Sequence, residues 1–161
     1  MTGANPEHCS IQQTLDQVGD RWTLLVLRDI FRGTRRFSEI QADLGIARNL
    51  LTDRLNRLVD NDIVAKMPYS DRPVRYEYRL TTKGRELSVP LIALMHWGDH
   101  WCAADQPPVL LVHEECGTPL DVAVTCPVCD DSVAAPDIRS RPGPGRSGTS
   151  PDSPNGRRAS A

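Results

Sequence analysis

The stretch FSEIQADLGIARNLLTDRLNRLVDND (residues 37–62) decides how this chain folds. In its first part, Phe37, Ile40 and Leu44 stand at the three- and four-residue spacing that places side chains on one face of a helix. Gly45 follows directly, and a glycine there allows the left-handed backbone with which many helices end. The pattern predicts a short helix that stops at Gly45, with a turn after it.

A second helical pattern begins after this turn, and its two sides differ. Its inward positions are the leucines Leu51, Leu55 and Leu58. Its outward positions are polar, with Asn49, Asp53 and Asn56 on the opposite side and Arg48 and Thr52 on the flank. Two short helices around a glycine-containing turn, the second polar on its outer face, are typical of a helix-turn-helix.

Two strand-like segments follow the helix pair. IVAKMPY (residues 63–69) and VRYEYRL (residues 74–80) are rich in β-branched and aromatic residues, and SDRP (residues 70–73) joins them with turn-forming residues. A β-hairpin directly after a helix-turn-helix is predicted to form a wing. We therefore expect a mainly α fold with a small β-wing, which is a winged helix-turn-helix.

Two further helices are predicted before this unit. SIQQTLDQV (residues 10–18) carries apolar side chains at helical spacing and stops at Gly19. DRWTLLVLRDIF (residues 20–31) opens with Asp20, a residue type favoured at the N-cap, and then presents a broad apolar face. The second of these helices is expected to be buried.

One more helix is predicted after the wing. GRELSVPLIALMHWGDHW (residues 84–101) follows Thr81, which can cap the start of a helix. Pro90 removes one backbone hydrogen bond, so we expect it to kink this helix. The apolar stripe of the helix is longer than a lone domain needs to cover, and it consists of Leu87, Leu91, Leu94 and Trp101.

The charge of the chain is nearly balanced overall but uneven along its length. The formal net charge of −2 gives no general indication of nucleic-acid binding. Residues 28–85, however, hold thirteen Lys or Arg against eight Asp or Glu, whereas residues 101–161 hold five against eight. A basic surface for DNA must therefore come from the predicted helix-turn-helix and wing.

The rest of the sequence indicates the compartment and the domain layout. No apolar run approaches the roughly eighteen residues that cross a bilayer, and residues 1–10 lack the basic and apolar regions of a secretory signal, so a cytoplasmic location is expected. Residues 139–161, rich in Pro, Gly and Ser, predict a disordered tail. The expected layout is a DNA-binding and dimerisation domain at 1–106, a short zinc-ribbon-like extension at 107–138, and this tail.

Three segments, taken in order, also resemble a known family. They are CSIQQTLDQVGDRWTLLVLRDIFRGTRRFSEIQADLGIARNLLTDRLNRLVDNDIV (residues 9–64), RYEYRLTTKGREL (residues 75–87) and WGDHW (residues 97–101). Together they resemble the HxlR-type winged helix-turn-helix transcriptional regulators. The resemblance implies a homodimeric bacterial regulator of double-stranded DNA that inserts its recognition helix into the major groove and pairs subunits through its first and last helices.

Residue chemistry then predicts how such a protein would hold DNA. Arginine suits guanine, asparagine suits adenine and the threonine methyl group suits thymine, so the predicted major-groove face is Arg48, Asn49, Thr52 and Asn56. Phosphate or minor-groove contacts are predicted for Arg35, Arg36, Arg72 and Arg75, which flank the helix pair and border the wing. Asp53 would repel phosphate, so we expect it either to accept from cytosine or to pair with Arg57.

Cys9 and two histidines are weaker candidates. Cys9 precedes the first helix at a position where, by the family resemblance, several relatives carry a redox-sensing cysteine, and a helix N-terminus can stabilise its thiolate. Packing as a small apolar residue at the dimer contact is the equal alternative. His96 and His100 stand four residues apart, but without a third ligand an ordinary surface or interface role is favoured over a metal site.

A cluster of metal-binding residue types lies in HEECGTPLDVAVTCPVC (residues 113–129). These residues form two pairs, His113 with Cys116 and Cys126 with Cys129. Two residues separate the members of each pair, and nine residues separate the two pairs. Four such ligands suit tetrahedral structural zinc, and the segment is too short to fold on a hydrophobic core alone. The alternatives are a redox pair formed by Cys126 and Cys129, or a remnant that no longer binds metal.

A transcriptional regulator is the favoured class of function, and an enzyme is not expected. The competing enzyme classes are a zinc hydrolase and a thiol oxidoreductase that uses Cys126 and Cys129. Catalytic zinc needs both an open coordination position and a nearby acid or base, for which Glu114 and Glu115 are the candidates, whereas four protein ligands would close the metal site. The remaining alternatives are a zinc- or thiol-dependent redox sensor and a protein-interaction module, both built on the C-terminal Cys and His residues.

Overall fold

The computed structural model describes residues 9–103, 107–141 and 143. In chain order its elements are α1 (Ser10–Val18), α2 (Arg21–Phe31), α3 (Phe37–Leu44), α4 (Arg48–Asp60), β1 (Val64–Asp71), β2 (Val74–Leu80), α5 (Thr82–Glu86) and α6 (Ser88–Trp101). This order confirms the predicted helical domain with a two-stranded wing. Most of the tail predicted for residues 139–161 lies outside the described residues. None of the helices in the described part of the chain has the length and apolar character needed to span a membrane.

The core lies where α2 packs against α3, α4 and the base of the wing. The inward leucines of α4 are fully buried there, as their spacing predicts. Burial of each such side chain contributes on the order of 1.5–3 kcal/mol. The fully buried apolar residues are Val26, Leu27, Ile40, Leu51, Leu55, Leu58, Ile63 and Val64.

Asp20 caps α2 and also joins it to α4. Its Oδ1 atom accepts hydrogen bonds from the backbone N–H groups of Trp22 and Thr23, both at 3.1 Å, and its Oδ2 atom accepts from the Thr23 hydroxyl. Arg54 Nε of α4 lies 3.0 Å from Oδ1. Burial alone would raise the pKa of Asp20, but the Thr23 hydrogen bonds and the Arg54 charge outweigh it and lower the pKa.

A second carboxyl group of α2, on Asp29, lies in the opposite environment. The Asp29 side chain is 1% exposed, and its Oδ1 accepts from Arg28 Nε at 3.0 Å and Nη2 at 2.7 Å. Its Oδ2 has no hydrogen-bond partner among the described residues. Burial raises the pKa of Asp29, Arg28 opposes this shift, and Asp43, which shares Arg28 at 3.2 Å, adds to it.

Two glycines have backbone roles that other residues could not fill easily. Gly45 ends α3 in the left-handed region, at φ 59°, so the chain can turn sharply into α4. Gly84 lies in α5 against the start of β1, where a Cβ atom would stand 2.1 Å from the carbonyl oxygen of Ile63. Thr81 also joins α5 to the residues just before β1. Its hydroxyl donates to Asp62 O at 2.7 Å and accepts from Gly84 N at 3.0 Å.

The wing is an antiparallel hairpin in register from Val64 opposite Leu80 to Asp71 opposite Val74, with an irregularity between Pro68 and Ser70. A third backbone segment extends its inner edge. Tyr78 N donates to Arg35 O at 2.8 Å, and Arg36 forms a bridge with Glu77. The residues just before α3 are therefore hydrogen-bonded to the wing.

The helix predicted after the wing is in fact two helices, which corrects the expectation of one kinked helix. The break falls at Leu87, and Pro90 lies in the first turn of α6 rather than in a helix interior. A first-turn residue needs no helical partner for its N–H group, so proline is tolerated there. Leu87 and Leu91 pack against the core, whereas Leu94 and Trp101 of the predicted stripe are exposed.

Residues 107–141 form no extended sheet. They contain two isolated antiparallel bridges, Val112 with Pro119 and Thr125 with Ser132, and a short 3-10 helix at Ala135–Asp137. None of the described side chains in this segment is fully buried. A complete zinc-ribbon-like fold is thus not confirmed, although the chain forms one turn at residues 114–116 and another at residues 127–129.

Candidate nucleic-acid interface

The outward face of α4 carries the predicted base-reading residues. Arg48, Asn49, Thr52 and Asn56 are all exposed, on the side opposite the buried leucines. The Thr52 hydroxyl donates to Arg48 O at 2.9 Å, so its hydrogen-bonding capacity is partly used within the helix. The Arg48 guanidinium lies 5.2 Å from the centre of the Phe37 ring, which links the start of α4 to the start of α3.

Asp53 does not pair with Arg57, which corrects one of the two predicted roles. Its carboxylate lies 2.7 Å from Nη1 of the adjacent Arg54, while Arg57 donates to Asp16 O at 3.1 Å. Arg54 also forms an ion pair with Asp20, so its guanidinium bridges the carboxylates of Asp20 and Asp53. The negative charge on this face is therefore partly offset within the protein.

Arg35 and Arg36 are both exposed but have different surroundings. The Arg36 guanidinium lies 4.8 Å from the centre of the Tyr69 ring on the wing and 3.5 Å from Glu39 Oε1. Arg35 lines a hollow of about 500 Å³ together with Arg79 and Arg85. Arg36 therefore bridges α3 and the wing, whereas Arg35 belongs to a separate basic hollow.

The tip of the wing is basic and exposed. Arg72 and Arg75 lie there, and within the described part of the chain neither has an ion-pair partner. Their charges are available to an external anion such as a phosphate.

Sequence reasoning missed part of this surface. Tyr69 and Tyr76 are exposed large side chains on the wing, and Lys66 Nζ lies 4.5 Å from the centre of the Tyr76 ring. Side chains alternate between the two faces of a strand, so the sequence VRYEYRL could have predicted that Arg75 and Arg79 lie on one face of β2 and Tyr76 on the other. Alternation alone could not show which face is covered by the core.

Helices α1 and α6 expose apolar side chains that the core does not use. Trp97 is 61% exposed and Trp101 is 68% exposed, and both lie on α6. Other exposed apolar side chains on these helices are Ile11, Leu15, Val89 and Leu94. Such surfaces commonly mark contacts with another protein chain.

The remaining isolated candidates have modest surroundings. Cys9 is half-buried at the N-cap of α1, where no side-chain capping bond is formed. His96 Nδ1 lies 3.5 Å from Asp121 Oδ1, and the His100 ring meets Trp101 edge-on at 4.5 Å. Redox sensing by Cys9 stays a prediction, and the two histidines have partners of their own.

The C-terminal Cys and His residues occupy two separate turns. His113 Nδ1 lies 3.3 Å from Cys116 Sγ. The Thr118 hydroxyl at 3.2 Å, with His113 as a smaller cause, lowers the pKa of Cys116 to about 7. Hydrogen bonds from the Cys129 and Val128 backbone, with a smaller one from the Cys129 side chain, lower the pKa of Cys126. Among the described residues, no three His, Cys, Asp or Glu side chains converge so as to hold a metal ion.

Comparison with known proteins places this geometry among DNA-binding regulators. A family model described as HxlR-like helix-turn-helix matches residues 17–106. An uncharacterized HTH-type transcriptional regulator of Mycobacterium tuberculosis is 42% identical over 137 residues, which are 84% of this chain and 87% of the relative.

Solved structures agree with that match. PA1607, described as a candidate transcription factor, has a TM-score of 0.76 and 37% identity, covering 83% of this chain and 94% of that one. The reduced form of the transcriptional regulator YodB from Bacillus subtilis has a TM-score of 0.51 and 30% identity, covering 58% of this chain and 94% of its own. Residues 1–106 make up about two thirds of the chain, so the first of these alignments extends into the C-terminal segment.

Proposed function

This chain belongs to the family of HxlR-like helix-turn-helix transcriptional regulators, and we propose that it acts as a homodimer that places two copies of α4 in successive major grooves of an operator. As a regulator it belongs to a non-enzymatic class. It would act in the bacterial cytoplasm, where the chromosome lies.

The observation that carries this proposal is the two-sided character of α4. Leu51, Leu55 and Leu58 are fully buried, which holds the helix firmly on the domain. Its polar side chains face away from the protein and have few internal partners. A rigid helix with an exposed polar face is what the major groove can accept.

Base reading is assigned to Arg48, Asn49, Thr52 and Asn56. Arginine can donate two hydrogen bonds to guanine, and asparagine can pair in the same way with adenine. The methyl group of Thr52 is the part suited to thymine, since its hydroxyl already donates to Arg48 O.

Phosphate and minor-groove contacts are assigned to Arg35, Arg36, Arg72 and Arg75. Arg36 supports this assignment, because its position over Tyr69 holds the start of α3 and the wing in one arrangement. Arg72 and Arg75 would reach the backbone on the outer side of the groove. These contacts fix position on the duplex without selecting its sequence.

Pairing of two copies is assigned to α1 and α6. Both helices expose apolar side chains that no element of the described chain covers, including two tryptophans on α6. For two α4 helices to enter successive major grooves, this pairing has to hold them about 34–36 Å apart, which is one turn of the duplex.

The test begins with an operator obtained by selection from random duplexes with the full chain. We expect Arg48→Ala together with Asn49→Ala to weaken binding to this operator by roughly tenfold or more, as loss of good base contacts costs about 1–3 kcal/mol each. Footprinting should show two protected half-sites about one helical turn apart.

The matched control is Arg139→Ala, which removes an exposed arginine from the C-terminal segment and should leave affinity unchanged. Arg72→Ala should weaken all sequences alike and reduce the salt dependence by about one counter-ion. Unchanged affinity and salt slope in the Arg48 and Asn49 variant would exclude α4 as the reading helix.

A further inference from the structure

The C-terminal segment builds the same turn twice, thirteen positions apart. In the first copy, Gly117 N donates to His113 O at 2.8 Å and His113 N donates to Thr118 O at 2.9 Å. In the second, Asp130 N donates to Cys126 O at 2.9 Å and Cys126 N donates to Asp131 O at 3.0 Å. His113 is thus equivalent to Cys126, and Cys116 to Cys129.

The match continues on both sides of each turn. The residue after the second ligand is left-handed in both copies, with φ 69° at Gly117 and φ 56° at Asp130. The bridge Val112 with Pro119 corresponds to Thr125 with Ser132. A left-handed conformation is easy for glycine but costs energy for aspartate, so the second turn adopts this shape despite its sequence.

The first turn brings the side chains of its first and fourth residues, His113 and Cys116, close together. The distance of 3.3 Å between His113 Nδ1 and Cys116 Sγ is close to the separation of about 3.6 Å expected for a nitrogen and a sulfur on one tetrahedral zinc ion. Cys126 and Cys129 occupy the equivalent positions of the second turn, which is closed by the same pattern of backbone hydrogen bonds. The first pair therefore has the spacing of two ligands that share one ion, and the second pair lies on the same kind of backbone turn.

Hydrophobic burial cannot account for the fold of this segment. None of its described side chains is fully buried, and Val128, inside the second turn, is 90% exposed. Small segments without a hydrophobic core usually depend on a metal ion or on disulfide cross-links for their folded structure.

We infer that one zinc ion, or another divalent ion of similar softness, binds between the two turns through His113, Cys116, Cys126 and Cys129. Because no three of these side chains converge in the structure, binding must draw the turns together. The three thiols lose their protons to solvent as they coordinate the ion. Four protein ligands leave no open position, so the site is structural.

The ion would also fix the segment beside α6. Asp121, in the link between the two turns, lies 3.5 Å from His96 of α6. A hollow of about 340 Å³ separates α6 from the segment and is lined on the segment side by Val109, Leu110 and Leu111. Metal loading would thus order a surface next to the helix proposed to pair the subunits.

The experiment uses the full chain, purified without a histidine tag, and titrates the metal-free protein with zinc alone. We expect one equivalent to protect three of the five thiols from alkylation, while the alkylation of Cys9 and Cys102 is the same with and without zinc. Cobalt in place of zinc should give the strong visible absorption of a tetrahedral site with thiolate ligands.

The paired variant Cys126→Ser with Cys129→Ser should lose both the bound ion and the cobalt absorption, and the control Cys9→Ser with Cys102→Ser should retain them. Operator binding of the first variant shows whether its DNA-binding domain is folded. Absence of a stoichiometric ion, protection of any other set of thiols, or formation of a Cys126–Cys129 disulfide in place of metal binding would overturn the inference. The wild-type titration decides the matter even if a variant fails to fold.

Discussion

Two carboxylates of α2 show how position alone sets the chemistry of a residue. Asp20 at the start of the helix receives two backbone N–H groups and the charge of Arg54, and its pKa is lowered. Asp29, nine residues later, is buried with one oxygen lacking a partner in the described chain, and its pKa is raised. The N-cap role of Asp20 could be predicted from its place before an apolar pattern. Burial of Asp29 could not, because it depends on packing against elements distant in sequence.

Replacing Asp20 should destabilise the protein in a pH-dependent way. Asp20→Ala removes the cap and should cost about 0.5–2 kcal/mol of unfolding free energy at neutral pH. The pKa of Asp20 is lowered in the folded state, so its charge contributes stability above the ordinary value of 3.8, and that contribution is lost as pH falls through the lower folded value.

Urea denaturation of wild type and variants at several pH values from about 7 down to about 2 measures this effect. Asp20→Asn is the matched control, because it keeps an acceptor for the cap but cannot titrate. We expect the wild type to lose its advantage over Asp20→Asn on acidification. A constant difference between the two at every pH would show that the charge of Asp20 does not contribute.

At the scale of elements, local pattern predicted the helices well but not the way they join. The leucine spacing of α4 and the glycine that ends α3 depend on neighbours in sequence, and both predictions are confirmed. The break at Leu87 was missed because the pattern continues across it. The pairing of Arg54 with Asp20 joins residues of different helices, so no local pattern contains it.

The close contact between α5 and the residue before β1 predicts that a larger side chain at Gly84 destabilises the domain. Gly84→Ala should destabilise the domain by at least about 1–3 kcal/mol, since the added methyl group would meet the Ile63 carbonyl and the backbone would have to move. Thermal unfolding measures the loss. Gly143→Ala is the control, because a Cβ atom there meets nothing within 4 Å and the residue lies outside the helices proposed to pair the subunits. Equal stability of the two variants would contradict the close approach.

At the scale of the whole molecule, the exposed apolar side chains of α1 and α6 have no packing partner in the described single chain, although Val18 and Leu91 of the same helices pack in the core. The sequence showed an apolar stripe that was too long for one domain. It could not show that the stripe divides into a buried part at Leu87 and Leu91 and an exposed part that begins at Leu94. That division depends on how far the core extends, which only the folded chain determines.

A charge placed on this exposed part should separate the subunits. Trp97→Glu is expected to shift the protein from dimer to monomer in sedimentation velocity. Operator binding should also weaken, because one dimer would no longer contact both half-sites. Val74→Glu is the control for the oligomeric state, since it alters an equally prominent apolar residue on the wing. A Trp97→Glu protein that sediments as wild type would remove α6 from the proposed interface.

The break at Leu87 has a consequence for how such proteins diversify. The proposed reading helix α4 lies before it, as does α1, whereas α6, the other helix proposed to pair the subunits, lies after it. Substitutions on one side can alter which promoters are bound, and those on the other side can alter which copies associate. A duplicated gene changed only in α4 would therefore acquire new targets while its product still paired with the original, and one changed only in α6 would stop pairing with the original while keeping its targets.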